Sequence, residues 1–107
     1  MCMEDIRIGR KIINAEIKDT IPNASFPFIQ YDKKRVSLIF WPPPSGTLTL
    51  SVINPVVADQ GISLPNTGHP IVLDVREHGD LCMKAWNVIH SVGGVVCTAH
   101  EGRLEAE

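Results

Sequence analysis

Arg35-Val36-Ser37-Leu38-Ile39-Phe40-Trp41-Pro42-Pro43-Pro44-Ser45-Gly46-Thr47-Leu48-Thr49-Leu50-Ser51-Val52 is the stretch that decides the fold class. From Thr47 the chain alternates strictly, with Leu48, Leu50 and Val52 on one side and Thr47, Thr49 and Ser51 on the other. A period of two is that of a strand with one buried face. Arg35 to Trp41 has the same period: Val36, Leu38 and Phe40 face inward, and Arg35, Ser37, Ile39 and Trp41 face outward. The intervening Pro42-Pro43-Pro44-Ser45-Gly46 stops pairing, because proline lacks the N–H that a ladder needs. The stretch over 35–53 therefore reads as a long-looped hairpin.

Outward from this stretch the pattern stays β-like. Ile62 to Leu64 is a short strand closed by Pro65-Asn66-Thr67-Gly68. Ile71 to Arg76 is another, with Ile71, Leu73 and Val75 inward. On the N-terminal side, Asp19 to Lys34 is extended but too rich in proline for a central strand. Arg10 to Ile17 alternates imperfectly, as an edge strand or a partly helical segment. Residues 1–9 form a polar extended arm carrying Ile6 and Ile8. Asp80 to Gly94 admits two readings. Leu81, Ala85, Val88, Ile89 and Val92 fit helical spacing, with Asp80 as N-cap and Gly93 just past the end. The Gly93-Gly94 pair followed by Val95-Val96-Cys97-Thr98-Ala99 fits a β-hairpin, and the strand-rich surroundings favour it. Residues 101–107 read as a polar, exposed tail.

Composition agrees. Among the 107 residues Val and Ile number 22, Ala and Leu only 13. Branching at Cβ suits a pleated surface better than a helix. A single domain over 1–107 is expected, burying roughly two-thirds of its unfolded surface. A net charge of −2 from ten basic and twelve acidic residues offers no basic surface for a nucleic-acid backbone. Lys33-Lys34-Arg35, the densest basic run, reads as a solvated strand start. No apolar run approaches the ~18 residues that cross a membrane. Three irregularly spaced cysteines, Cys2, Cys82 and Cys97, are no secreted disulfide framework. Cys82 and Cys97 read as buried thiols, with pairing across neighbouring strands left open.

Catalytic chemistry is not apparent. The four histidines, His69, His78, His90 and His100, do not fall at metal-ligand spacings; Asp74, His78 and Asp80 around one turn fit no known ligand pattern. Neither Ser51 nor Cys97 has the base and elbow of a nucleophile, and no phosphate-cradling glycine loop occurs. No catalytic, cofactor-binding or metal residue is therefore assigned, and no cofactor is expected.

The layout from Arg35 to Ser51, with the Asp59-Gln60-Gly61-Ile62 turn and His78-Gly79-Asp80-Leu81 followed by Trp86, resembles the small decoration (cement) proteins of tailed-bacteriophage capsids. That resemblance covers about half of the chain and is one of strand and turn order. It implies an all-β fold, a small antiparallel β-sandwich or β-barrel of jelly-roll-like form. It also implies a homo-oligomer, a trimer in the favoured case, made in the host cytoplasm and placed on the virion. The partner would be the major capsid protein, bound at junctions between capsomers. No functional residue transfers with the resemblance. Contact candidates come from physics instead: Ile6 and Ile8 on the arm, which could add to a neighbour's sheet edge, and Phe26, Phe28, Tyr31 and Trp41, since aromatics anchor interfaces. The alternative is a small cupin-like or lectin-like barrel binding a metal or a carbohydrate, with Trp41 and Trp86 as stacking surfaces. The cupin form needs inward His and Glu, whereas the inward positions read as apolar.

Overall fold

The computed structural model describes residues 12–57 and 60–104. Eight strands form: β1 (Ile12–Ile21), β2 (Phe26–Ile29), β3 (Arg35–Phe40), β4 (Thr47–Ser51), β5 (Ile62–Pro65), β6 (Ile71–Asp74), β7 (Trp86–His90) and β8 (Val95–Leu104). A four-residue helix, α1 (Val75–His78), and a 3-10 turn (Gly79–Cys82) link β6 to β7. The strands build two antiparallel sheets in the orders β1-β8-β3-β6 and β2-β7-β4-β5. That pair of orders is a jelly roll. Of its connections only β4 to β5 stays within one sheet.

The sheets close on side chains that alternation assigned inward: Leu38, Phe40, Leu48 and Leu50 are buried, and Val88 and Ala99 join them from β7 and β8. Phe40 sits at the centre, with its ring edge-on to Trp86 at 5.4 Å and tilted against Phe28 at 6.4 Å. Aromatic pairs in such geometry add to the stabilisation from area alone. Pro27 lies in β2, an edge strand of its sheet, where a missing N–H costs no ladder bond.

Several expectations need correcting. β3 and β4 belong to different sheets and are not a hairpin. Three prolines in extended form span about 9 Å, close to the ~10 Å between packed sheets, so the block carries the chain across instead of turning it back. Residues 80–94 supply a strand, as favoured, but β7 does not pair with β8; Gly93-Gly94 is likewise a crossing. The strand from Ile71 ends at Asp74, two residues early. There Asp74 caps α1, accepting the Glu77 N–H at 2.9 Å, while His78 Nδ1 accepts the Asp74 N–H at 3.1 Å. Such local side-chain bonds compete with the ladder. Thr49, expected to face solvent, is buried, because Gly61 packs against its methyl.

The largest corrections concern charge. Arg35 is 2 % exposed, not a solvated strand start, and Glu101 to Leu104 complete β8 instead of opening a tail. A register shift between Arg35 and Ser37 against β8 lets both Arg35 and Val36 be buried. Arg35 Nε donates to Glu101 Oε1 at 2.9 Å. Its terminal nitrogens donate to the carbonyls of Gln30 (2.6 Å) and Cys82 (3.2 Å), and at longer range to Met83 and Lys84. One guanidinium thus ties the β2–β3 connection, β8 and the segment before β7 into a plug for this end of the sandwich.

Beside it, Arg103 Nε donates to Asp32 Oδ2 at 2.7 Å. Burial disfavours the Asp32 carboxylate. The hydrogen bonds from Arg103 and the Lys34 N–H, with the charges of Arg103 and Arg35, outweigh burial and hold its pKa below the ordinary 3.8. A depressed carboxyl stabilises the fold above its unfolded pKa, and that contribution is lost as pH falls through the folded value. Asp32→Asn is accordingly expected to be less stable than the native chain at neutral pH. Denaturation followed against pH should show the gap closing below pH 3.8; a gap independent of pH would refute the charge-based explanation.

Candidate functional site

The jelly roll sorts its connections to two ends. The plugged end holds the β2–β3 (30–34), β4–β5 (52–61) and β6–β7 (75–85) connections, with Asp32, Lys33, Lys34, Arg76, Glu77, Asp80 and Lys84. The other end holds β1–β2 (22–25), β3–β4 (41–46), β5–β6 (66–70) and β7–β8 (91–94). Those four loops contain no Asp, Glu, Lys or Arg. Their exposed residues include Asn23, Trp41, Ser45, Asn66, Ser91 and Val92. This uncharged pole is the candidate site.

His90, fully buried at the end of β7, fastens it. Nδ1 accepts the N–H groups of Val92 (3.1 Å) and Gly93 (2.9 Å). The ring proton therefore sits on Nε2, which donates to the Ser45 carbonyl at 2.7 Å. The His90 N–H donates to Pro22 C=O at 3.1 Å. Thr47 and Ser91 exchange two further bonds, and the Asn66 N–H reaches Gly46 C=O at 2.9 Å. All four loops are thus tied into one network. Two glycines permit the close packing. A Cβ on Gly46 (φ +71°) would lie 2.6 Å from His90 Cε1, and one on Gly93 (φ +92°) would lie 2.7 Å from the Asn23 nitrogen. The backbone here is set before any partner arrives, which reduces the ordering cost of binding.

Trp41 stands at the rim of the pole, 38 % exposed. Its Nε1–H can only donate, and does so to His100 Nδ1 at 2.6 Å. His100 must then carry its proton on Nε2, facing Glu16 Oε2 at 3.2 Å. The rings meet edge-on at 5.7 Å. With both ring nitrogens engaged, His100 is an anchor for the indole.

No family model, no curated protein and no solved structure matches this chain. What the pole can do follows from its own groups: an indole, a valine, the exposed His69 imidazole, amides, hydroxyls and fixed backbone, with no Asp, Glu, Lys or Arg among them.

The contact candidates from sequence do not converge. Phe28 is buried and Phe26 packs against the core, so both are occupied in folding; β2 puts them there. Tyr31 is well exposed, but at the charged end. Trp41 alone lies at the pole. Ile6 and Ile8 fall outside the described residues. Sequence reasoning missed His90 and the pole itself.

Elsewhere the chemistry is sparse. Cys82 and Cys97 are buried and unpaired, and burial pushes both thiols up to about 11, which keeps them protonated. An apolar groove of about 240 Å³ opens between Leu50, Val52, Ile62, Leu81 and Trp86. Its one hydroxyl, that of Ser51, accepts the Ile53 N–H. Among the described residues no three His, Cys, Asp or Glu side chains are placed to hold a metal ion.

Proposed function

We propose that this chain is a non-enzymatic structural module that attaches through its uncharged pole to the surface of a larger protein assembly. The layout resemblance makes that assembly a virion shell, with the major capsid protein as partner and this chain as its decoration. The observation carrying the proposal is that nineteen loop residues, fastened by one buried histidine, include no Asp, Glu, Lys or Arg in a chain where those types make up 21 %. Interface centres are depleted in charge and enriched in aromatic side chains, because every desolvated charge left unpaired costs free energy. A solvent-only surface has no reason to exclude charges so completely.

The test is co-sedimentation with shells assembled from the major capsid protein encoded in the same genome. Native protein should pellet with the shells. Val92→Asp, at a position 75 % exposed, and Trp41→Ala should each bind at least tenfold more weakly, a loss of roughly 1.4 kcal/mol, with unchanged circular dichroism. Binding untouched by both substitutions would place the contact elsewhere. No pelleting, together with glycan-array binding lost in Trp41→Ala, would replace the proposal with a lectin.

A further inference from the structure

We infer that β1 pairs edge to edge with β1 of a second copy, joining the two β1-β8-β3-β6 sheets into one continuous sheet across a two-fold axis. The inference begins with backbone direction. The Trp41 N–H donates to Thr98 C=O, so the even-numbered residues of β8 turn their backbone groups to β3. The odd-numbered ones turn to β1, where they meet Ile13, Ala15, Ile17, Asp19 and Ile21. In an antiparallel ladder alternate residues point their N–H and C=O to opposite sides. Those of Asn14, Glu16, Lys18 and Thr20 therefore point to the open edge, where β1 has no neighbour among the described residues.

Such an edge is ordinarily guarded by charge, and a lysine there discourages pairing. The side chains of β1 instead match a second β1. Antiparallel partners share a face of the sheet, so only alternate registers are open to it. Centring the pair on Ile17 sets Glu16 opposite Lys18 of the second copy, twice by symmetry. The same register sets Asn14 opposite Thr20 and Ile17 opposite itself. Moving one allowed step either way sets Glu16 against Glu16 or Lys18 against Lys18, which is repulsive across a strand pair. The favoured register also makes hydrogen-bonded rungs of Asn14, Glu16, Lys18 and Thr20, whose backbone groups face no other strand among the described residues, giving about eight bonds. Exposed Ile12 and Ile13 lie at its margins.

An isologous contact of this kind closes at two copies, in place of the trimer that the resemblance implied. Because β1 runs from the charged end towards the uncharged pole, the antiparallel pair aims its two poles in opposite directions. Two poles so aimed cannot both meet one shell surface, so the dimer adds no avidity on a single surface and presents its second pole away from it. The dimer itself does not depend on the proposed function and is tested apart from it.

Sedimentation equilibrium and mass photometry of the full chain should show a concentration-dependent dimer. Glu16→Lys and Lys18→Glu each oppose like charges twice and should weaken it roughly tenfold. The double exchange Glu16→Lys with Lys18→Glu restores opposite charges in the same register and should recover most of the affinity. All three changes are at exposed positions; they also alter the in-chain contacts of Glu16 with Lys18 and His100, so circular dichroism and Trp41 fluorescence check the fold of each. A chain that stays monomeric at high micromolar concentration overturns the inference. So does a dimer indifferent to the single reversals, or one weakened further by the double exchange.

Discussion

Arg35→Met is expected to lower stability by about 3–5 kcal/mol, the range for removing one partner of a buried ion pair. Methionine fills much of the same volume, so the loss is one of bonding more than of packing. Glu101, whose side chain is 14 % exposed, would keep a carboxylate with no ion-pair partner within 4 Å among the described residues. The carbonyls of Gln30 and Cys82 would lose this donor, and a buried acceptor such as that of Cys82 left unmade costs about 1–3 kcal/mol. Against a total stability of ~5–15 kcal/mol the melting temperature should fall by roughly 15–25 °C. Arg35→Lys keeps the charge but not the fork that reaches Glu101 and Gln30 at once, and should lie between. Arg35→Met with Glu101→Gln removes both charges and should regain part of the loss. Urea denaturation of the four proteins decides it; a loss below ~1 kcal/mol for Arg35→Met would mean that the plug is dispensable.

The strands were legible because alternation depends on local burial alone. Leu38, Phe40, Leu48 and Leu50 declared their face without reference to anything distant. Pairing was not legible. Proline and glycine between two strands mark a break in the ladder, and a break serves a crossing between sheets as well as a reversal within one. Arg35 and Glu101 misled for a related reason. A charge is read as solvent-facing unless its partner is known, and this pair is 66 residues apart in sequence.

The uncharged pole left a trace in the sequence that pattern reading passed over. Between Ile12 and Leu104 every charged residue but Asp59 falls in one of four blocks, at Glu16 to Asp19, Asp32 to Arg35, Asp74 to Lys84 and Glu101 to Arg103, separated by charge-free runs such as 36–58 and 85–100. In a jelly roll each such run climbs to one end of the sandwich and returns, so the last three blocks collect at the opposite end, while Glu16 to Asp19 lies along the edge strand β1. The trace has no meaning until the strand order is known. His90 was hidden differently: at the inward end of Trp86, Val88, His90 it sits where a core aliphatic would be expected, and nothing local distinguishes it.

His90→Ala should accordingly be the most damaging change at the pole, with a loss of about 3–5 kcal/mol, comparable to emptying a buried aromatic position. The void would be lined by the Ser45 carbonyl and by the Val92 and Gly93 N–H groups, all three left without their ring partner. His90→Leu fills the void but leaves the same groups unbonded, so it should recover little. His90→Asn places an amide oxygen near the position of Nδ1 and can accept from Val92 and Gly93, though it falls short of Ser45. It should recover more than leucine despite its smaller volume. That order, asparagine above leucine, separates hydrogen bonding from packing as the source of stability. Amide exchange at Val92 and Gly93 should rise most in the leucine protein, while exchange in β3 and β8 stays slow. Nitrogen NMR of the native protein should find the His90 proton on Nε2. A proton on Nδ1, or a leucine protein as stable as the native chain, would show that the ring only fills space and that the four loops hold their arrangement without it.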